Sequence, residues 1–106
     1  MAYKIIWSPQ AEITFENVIT FLSENWTNKQ IENLLARTNK LINLISKNPF
    51  LFKGSEKQNI HEVLITKHNL LLYQINETQL KVELLAFFDT RHHPKKKHLL
   101  SIKKKP

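Results

Sequence analysis

The apolar pattern of this chain changes period once, near its middle, and that change restricts the fold more than any other feature. In the first half, Ala11, Phe15, Val18, Ile19 and Leu22 recur at the spacing of one helix face, reaching about Glu24. A second helical stripe runs through Ile31, Leu34, Leu35, Leu41, Ile42 and Ile45. From residue 60 onward the period is two: Ile60 to Ile65, Leu70 to Ile75 and Lys81 to Phe88 read as strands, separated by the short polar stretches 66–69 and 76–78. A chain that puts its helices first and its strands last must stack one layer on the other to hide both apolar surfaces.

The junctions sharpen this reading. Tyr3-Lys4-Ile5-Ile6-Trp7 is short, β-branched and aromatic, which predicts a strand. Ser8 then supplies an N-cap, and Pro9 fits the first helical position because the amide it lacks would be unpaired there. Thr27 and Gln30 have the spacing of a capping box, so a second helix starts almost where the first stops. Two long helices with so short a link must run antiparallel. Asn48-Pro49 ends the second helix, since proline disfavours helical backbone in the residue before it. Residues 50–59, with the chain's single glycine, Gly54, read as a loop anchored by Phe50 and Phe52. The expected architecture is α+β in the order β-α-α-β-β-β, with the N-terminal strand and helical hairpin packed on one face of a small antiparallel sheet.

Composition matters at two points. There are no cysteines, which removes disulfides, thiolate metal sites and thiol nucleophiles together. Five histidines without a spaced carboxylate or cysteine partner form no recognisable metal motif, so neither metal nor cofactor is expected. No apolar stretch approaches the roughly 20 residues of a membrane span, and no signal-peptide core follows Met1, so a cytoplasmic protein without membrane contact is expected.

Charge is concentrated at the C-terminal end. Residues 89–106 hold Arg91 and lysines 95, 96, 97, 103, 104 and 105 against Asp89, which is +6 of the chain's formal +7. The expected organisation is one domain over residues 1–94 followed by a basic tail, 95–106. Such a segment attracts polyanions or acidic proteins. No aromatic residues interleave with these lysines to stack bases, which argues against a stand-alone nucleic-acid-binding domain.

Ordered along the chain, Ile5-Ile6-Trp7-Ser8-Pro9-Gln10-Ala11, Lys47-Asn48-Pro49-Phe50, Leu71-Leu72-Tyr73-Gln74-Ile75 and Phe88-Asp89-Thr90-Arg91 with Pro94-Lys95-Lys96 resemble the RelE/ParE superfamily of toxins, often called plasmid stabilisation proteins. The resemblance implies a growth inhibitor silenced by a cognate acidic antitoxin, with promoter DNA bound only through that antitoxin. It leaves two targets open: DNA gyrase for ParE-like members, which are not nucleases, and mRNA on the ribosome for RelE-like endoribonucleases.

For the second chemistry the candidates are Arg91 for phosphate, His92 or His93 for proton transfer, and Lys67, with His68 and His61 near the middle strands. Cleavage by 2′-hydroxyl attack needs a base, an acid and cations around the phosphate, and the ordinary histidine pKa of about 6.5 suits proton transfer. Neighbours in an extended segment point to opposite sides, so His92 and His93 are not both expected in one site. The sheet arginine that RelE-like nucleases tend to carry is missing, because the only arginines are Arg91 and Arg37, and Arg37 falls in the second helix. Lysine supplies charge but not a bidentate grip on phosphate. This departure favours the ParE-like reading, in which Arg91, Lys95, Lys96 and Lys97 engage the target. Tyr73 reads as core, and Glu62 and Glu83 as solvated strand residues.

Overall fold

The computed structural model describes residues 2–55 and 59–90. Strand β1 (Lys4–Trp7) leads into helix α1 (Pro9–Asn25), and α2 (Asn28–Lys47) follows after a two-residue link. A single 3-10 turn (Pro49–Leu51) and a two-residue strand β2 (Gly54–Ser55) precede the long strands β3 (Ile60–Thr66), β4 (Asn69–Asn76) and β5 (Lys81–Asp89). The described part of the expected loop, residues 50–55, therefore contains a 3-10 turn and a short strand. Both caps form as the sequence predicts. The Ser8 hydroxyl accepts from the Ala11 amide at 3.0 Å, and Thr27 and Gln30 satisfy each other's backbone amides.

The five strands make one sheet in the order β1-β5-β4-β3-β2. The predicted meander of β3, β4 and β5 is antiparallel throughout, while β1 pairs with β5 in parallel, from Lys4 opposite Lys81 to Trp7 opposite Leu84. The sheet is thus mixed. The chain's first strand lies beside its last, a pairing that local sequence does not reveal.

Strand β5 outruns β1, and α1 takes over where β1 stops. A register shift opposite Leu72 and Tyr73 bulges β5 near Leu85. The Leu85 carbonyl accepts from the Ser8 hydroxyl at 3.2 Å, and the Phe87 amide donates to Thr14 Oγ1 at 2.9 Å. Two hydroxyls on the first turns of α1 therefore satisfy backbone groups that a sixth strand would otherwise pair. Beside them Phe87 stacks on Trp7 at 5.4 Å between centroids and meets Phe15 at 4.7 Å.

The main core lies between helices and sheet. Ala11, Leu22, Leu34 and Ile45 meet Val63, Ile65, Leu71, Tyr73, Ile75, Val82, Leu84 and Phe87. The opposite face of the sheet has a smaller apolar cluster of Ile60, Leu70, Leu72 and Leu85, flanked by Phe88. Pleat alternation puts Glu62 and Glu83 on that second face too. Glu83 is exposed as expected, but one Glu62 carboxylate oxygen is buried without a hydrogen bond among the described residues.

Candidate functional site

The β3–β4 turn, Lys67-His68, is the best anchored of the polar turns. Thr66 Oγ1 accepts from the His68 amide at 3.2 Å and from Asn69 Nδ2 at 2.9 Å. From the end of β5, the Thr90 amide donates to the His68 carbonyl at 2.8 Å and its hydroxyl donates to the Lys67 carbonyl at 3.2 Å. Four hydrogen bonds thus hold the turn and pin it to the residue that precedes Arg91. Arg91, His92, His93, Lys95, Lys96 and Lys97 lie outside the described residues, as does the expected domain boundary at 94. Of the candidate site residues, Lys67, His68 and His61 are described: Lys67 is exposed on this turn, with His68 half-buried beside it.

Arg37 joins this end of the molecule. Its Nε donates to the Ile65 carbonyl at 2.7 Å. That carbonyl is reachable because the ladder between β3 and β4 is irregular between Leu64 and Thr66. A single bond occupies one of the guanidinium's five N–H donors. The arginine that helical spacing assigns to a helix surface is therefore docked on the sheet, one residue from the Thr66 that organises the turn. Its sequence context carries no sign of this, since the contact spans 28 residues.

Between the helical hairpin and this turn lies a cleft of about 390 Å³. Leu22 and Leu34 form its floor, Trp26 a wall, and Gln30, Asn33 and Lys67 part of its rim. Trp26 is 39% exposed here.

His61 does not belong to this site. It sits at the start of β3, some six residues from Lys67 and so roughly 20 Å away along the strand. Its ring is buried, with Nδ1 2.8 Å from the Phe52 carbonyl. A carbonyl only accepts, so Nδ1 carries the proton. The ring stacks on Tyr73 at 5.3 Å, and Tyr73 in turn donates its hydroxyl to the Pro49 carbonyl at 2.7 Å. Burial pushes the Tyr73 hydroxyl well above its ordinary pKa of 10.0, which keeps it protonated. Tyr73 is core, as the sequence suggests, and His61 fastens the 49–55 segment to the sheet.

The middle of the helix-free sheet face offers leucines and carboxylates, with no lysine, arginine or histidine from the described central strands among Ile60, Glu62, Leu70, Leu72, Glu83 and Leu85. Lys4 and Lys81 stand opposite each other at one end of the sheet, whereas Arg37, Lys67 and His68 stand at the other. Among the described residues no group of three His, Asp or Glu could hold a metal ion, and no helix is long and apolar enough to cross a membrane.

No family model and no curated protein matches the chain. Solved structures do. A mutant of the Escherichia coli toxin RelE in the free state superposes with a TM-score of 0.63 at 12% identity, covering 89% of this chain and 90% of that one. A YoeB/ParE toxin from Agrobacterium tumefaciens gives 0.58 at 13% identity, covering 81% and 96%. The RelBE2 toxin-antitoxin complex from Mycobacterium tuberculosis gives 0.57 at 15% identity, covering 84% and 99%. These likenesses establish the fold, which is that of the RelE/ParE toxins.

Proposed function

We propose that this chain, built on the RelE/ParE toxin fold, is the toxin of a type II toxin-antitoxin pair: a ParE-like growth inhibitor that binds DNA gyrase and is neutralised by a cognate acidic antitoxin. The observation that carries the ParE-like part is the charge of the helix-free sheet face. Cleaving a phosphodiester requires cations where negative charge builds up, and the described middle of this face carries Glu62 and Glu83, with Lys81 beside Glu83 only at its end. A face of that kind suits protein binding. The neighbouring structures support the partner, since they include a RelBE complex from E. coli and a YoeB-YefM complex from Staphylococcus aureus.

Induced expression of the chain should stop growth, and co-expression of the short acidic protein encoded beside it should restore growth. In a supercoiling assay, purified protein should inhibit gyrase in proportion to its concentration. Undiminished supercoiling at saturating protein removes gyrase as the target. One observation favours the second reading, a ribosome-dependent mRNA endoribonuclease: two described cations stand at one end of the sheet, Lys67 on the turn held by the Thr90 hydroxyl and Arg37 docked on the Ile65 carbonyl. Primer extension on translated mRNA separates the two, because codon-internal cuts that vanish with Arg91→Ala belong to the nuclease alone.

A further inference from the structure

The helix layer and the sheet part at the hairpin end, and the resulting cleft has an uncommon composition. Its floor is the core itself, since Leu22 and Leu34 are 7% and 2% exposed. None of the residues lining it is acidic. Two cations flank it: Lys67 on the rim, and Arg37 one helical turn beyond Asn33, held beside the strand end by its bond to Ile65. Holding Arg37 in one orientation removes part of the entropy a partner would otherwise have to cover, and its remaining donors match a carboxylate fork.

We propose that this cleft docks an acidic segment of a partner protein, which inserts an apolar side chain between Trp26 and Leu34 and pairs adjacent carboxylates with Arg37 and Lys67. Charge complementarity selects an anion, and the leucine floor selects a protein over a nucleic acid. A polynucleotide satisfies the two cations but gains nothing from an aliphatic floor, whereas a leucine side chain buried there gains by leaving water. That the partner is the antitoxin rests on the function proposed above; the site itself does not.

The test uses the full chain and a short synthetic peptide of glutamates and aspartates interrupted by two leucines. Controls are the same peptide with serine for leucine, its lysine counterpart, and a single-stranded oligonucleotide of equal charge. Amide NMR shifts should cluster at Gln30, Asn33 and His68 with the acidic leucine peptide alone. Affinity should fall about tenfold with Lys67→Glu, further with Arg37→Glu, and also with Asn33→Trp, which fills the cleft without touching charge. Lys67→Glu changes an exposed turn residue, and a melting curve for each variant confirms its folding.

The proposal is overturned if saturating peptide moves no resonance around the cleft. It is equally overturned if the serine peptide or the oligonucleotide binds there as well as the leucine peptide, or if folded variants bind unchanged. The two readings fail separately. If the neighbouring gene's product relieves growth arrest and binds Lys67→Glu and Asn33→Trp as tightly as the parent, the cleft assignment falls and the antitoxin stands. Should the peptide bind as expected to a chain that arrests no growth, the cleft stands and the toxin reading falls.

Discussion

Gly54 is the chain's one glycine, and its backbone does not need one. The positive-φ positions among the described residues are Asn59 and Leu80, at 53° and 54°. What Gly54 provides is room. A Cβ there would lie 2.6 Å from Cγ and Cε1 of His61, a ring already fixed by the Phe52 carbonyl and the face of Tyr73. Because the obstruction is a held ring and not the end of a flexible chain, Gly54→Ala should cost about 1–3 kcal/mol, the usual range for overpacking. Urea unfolding measures it. The pair should be non-additive: in a His61→Ala background, adding Gly54→Ala should cost well under half as much as it does alone. An equal cost in both backgrounds would mean that the ring is not what excludes the methyl. Sequence shows Gly54 as a loop breaker and His61 as a reactive candidate; their contact is tertiary, so spacing reveals neither role.

At the scale of elements, what proved readable was whatever is settled within a few residues. Ser8-Pro9 and the Thr27–Gln30 box set both helix starts, Asn48-Pro49 set the second helix end, and alternation from Ile60 gave three strands to within about a residue at each end. Unreadable were the features decided across the fold. The parallel pairing of β1 joins residues 77 apart in sequence, β2 is two residues long, and Arg37 finds its acceptor through an irregularity in another element. Thr14 is the same kind of case, since it sits mid-helix where threonine has modest propensity, yet its hydroxyl bonds the Gln10 carbonyl at 2.7 Å and receives the Phe87 amide. Thr14→Val keeps the shape and removes the acceptor, leaving that amide unpaired. The expected loss is about 1–3 kcal/mol, and hydrogen exchange at Phe87 should accelerate beyond the global change. Thr14→Ser, which keeps the oxygen, should retain most of the protection.

For the whole molecule, charge asymmetry is the property that operates at a distance. Removing residues 95–106 deletes six lysines and takes the formal charge from +7 to +1. The shortened chain should elute from immobilised heparin at clearly lower salt than the parent, because retention on a polyanion scales with the cations engaged. If the peptide-binding cleft is independent of that segment, its affinity for the acidic leucine peptide should change by less than about threefold at moderate salt, where charges beyond a Debye length of about 8 Å are screened. A parallel collapse of both properties would instead tie the cleft to the tail.

The adjacency of β1 and β5 has a consequence for how the protein is made. While translation proceeds, the N-terminal strand has no neighbour until residues 81–84 leave the ribosome, and the helical hairpin has no complete surface to cover. A premature stop anywhere upstream yields a chain that cannot assemble its sheet, so a damaged message produces an inert fragment and not a partly working protein.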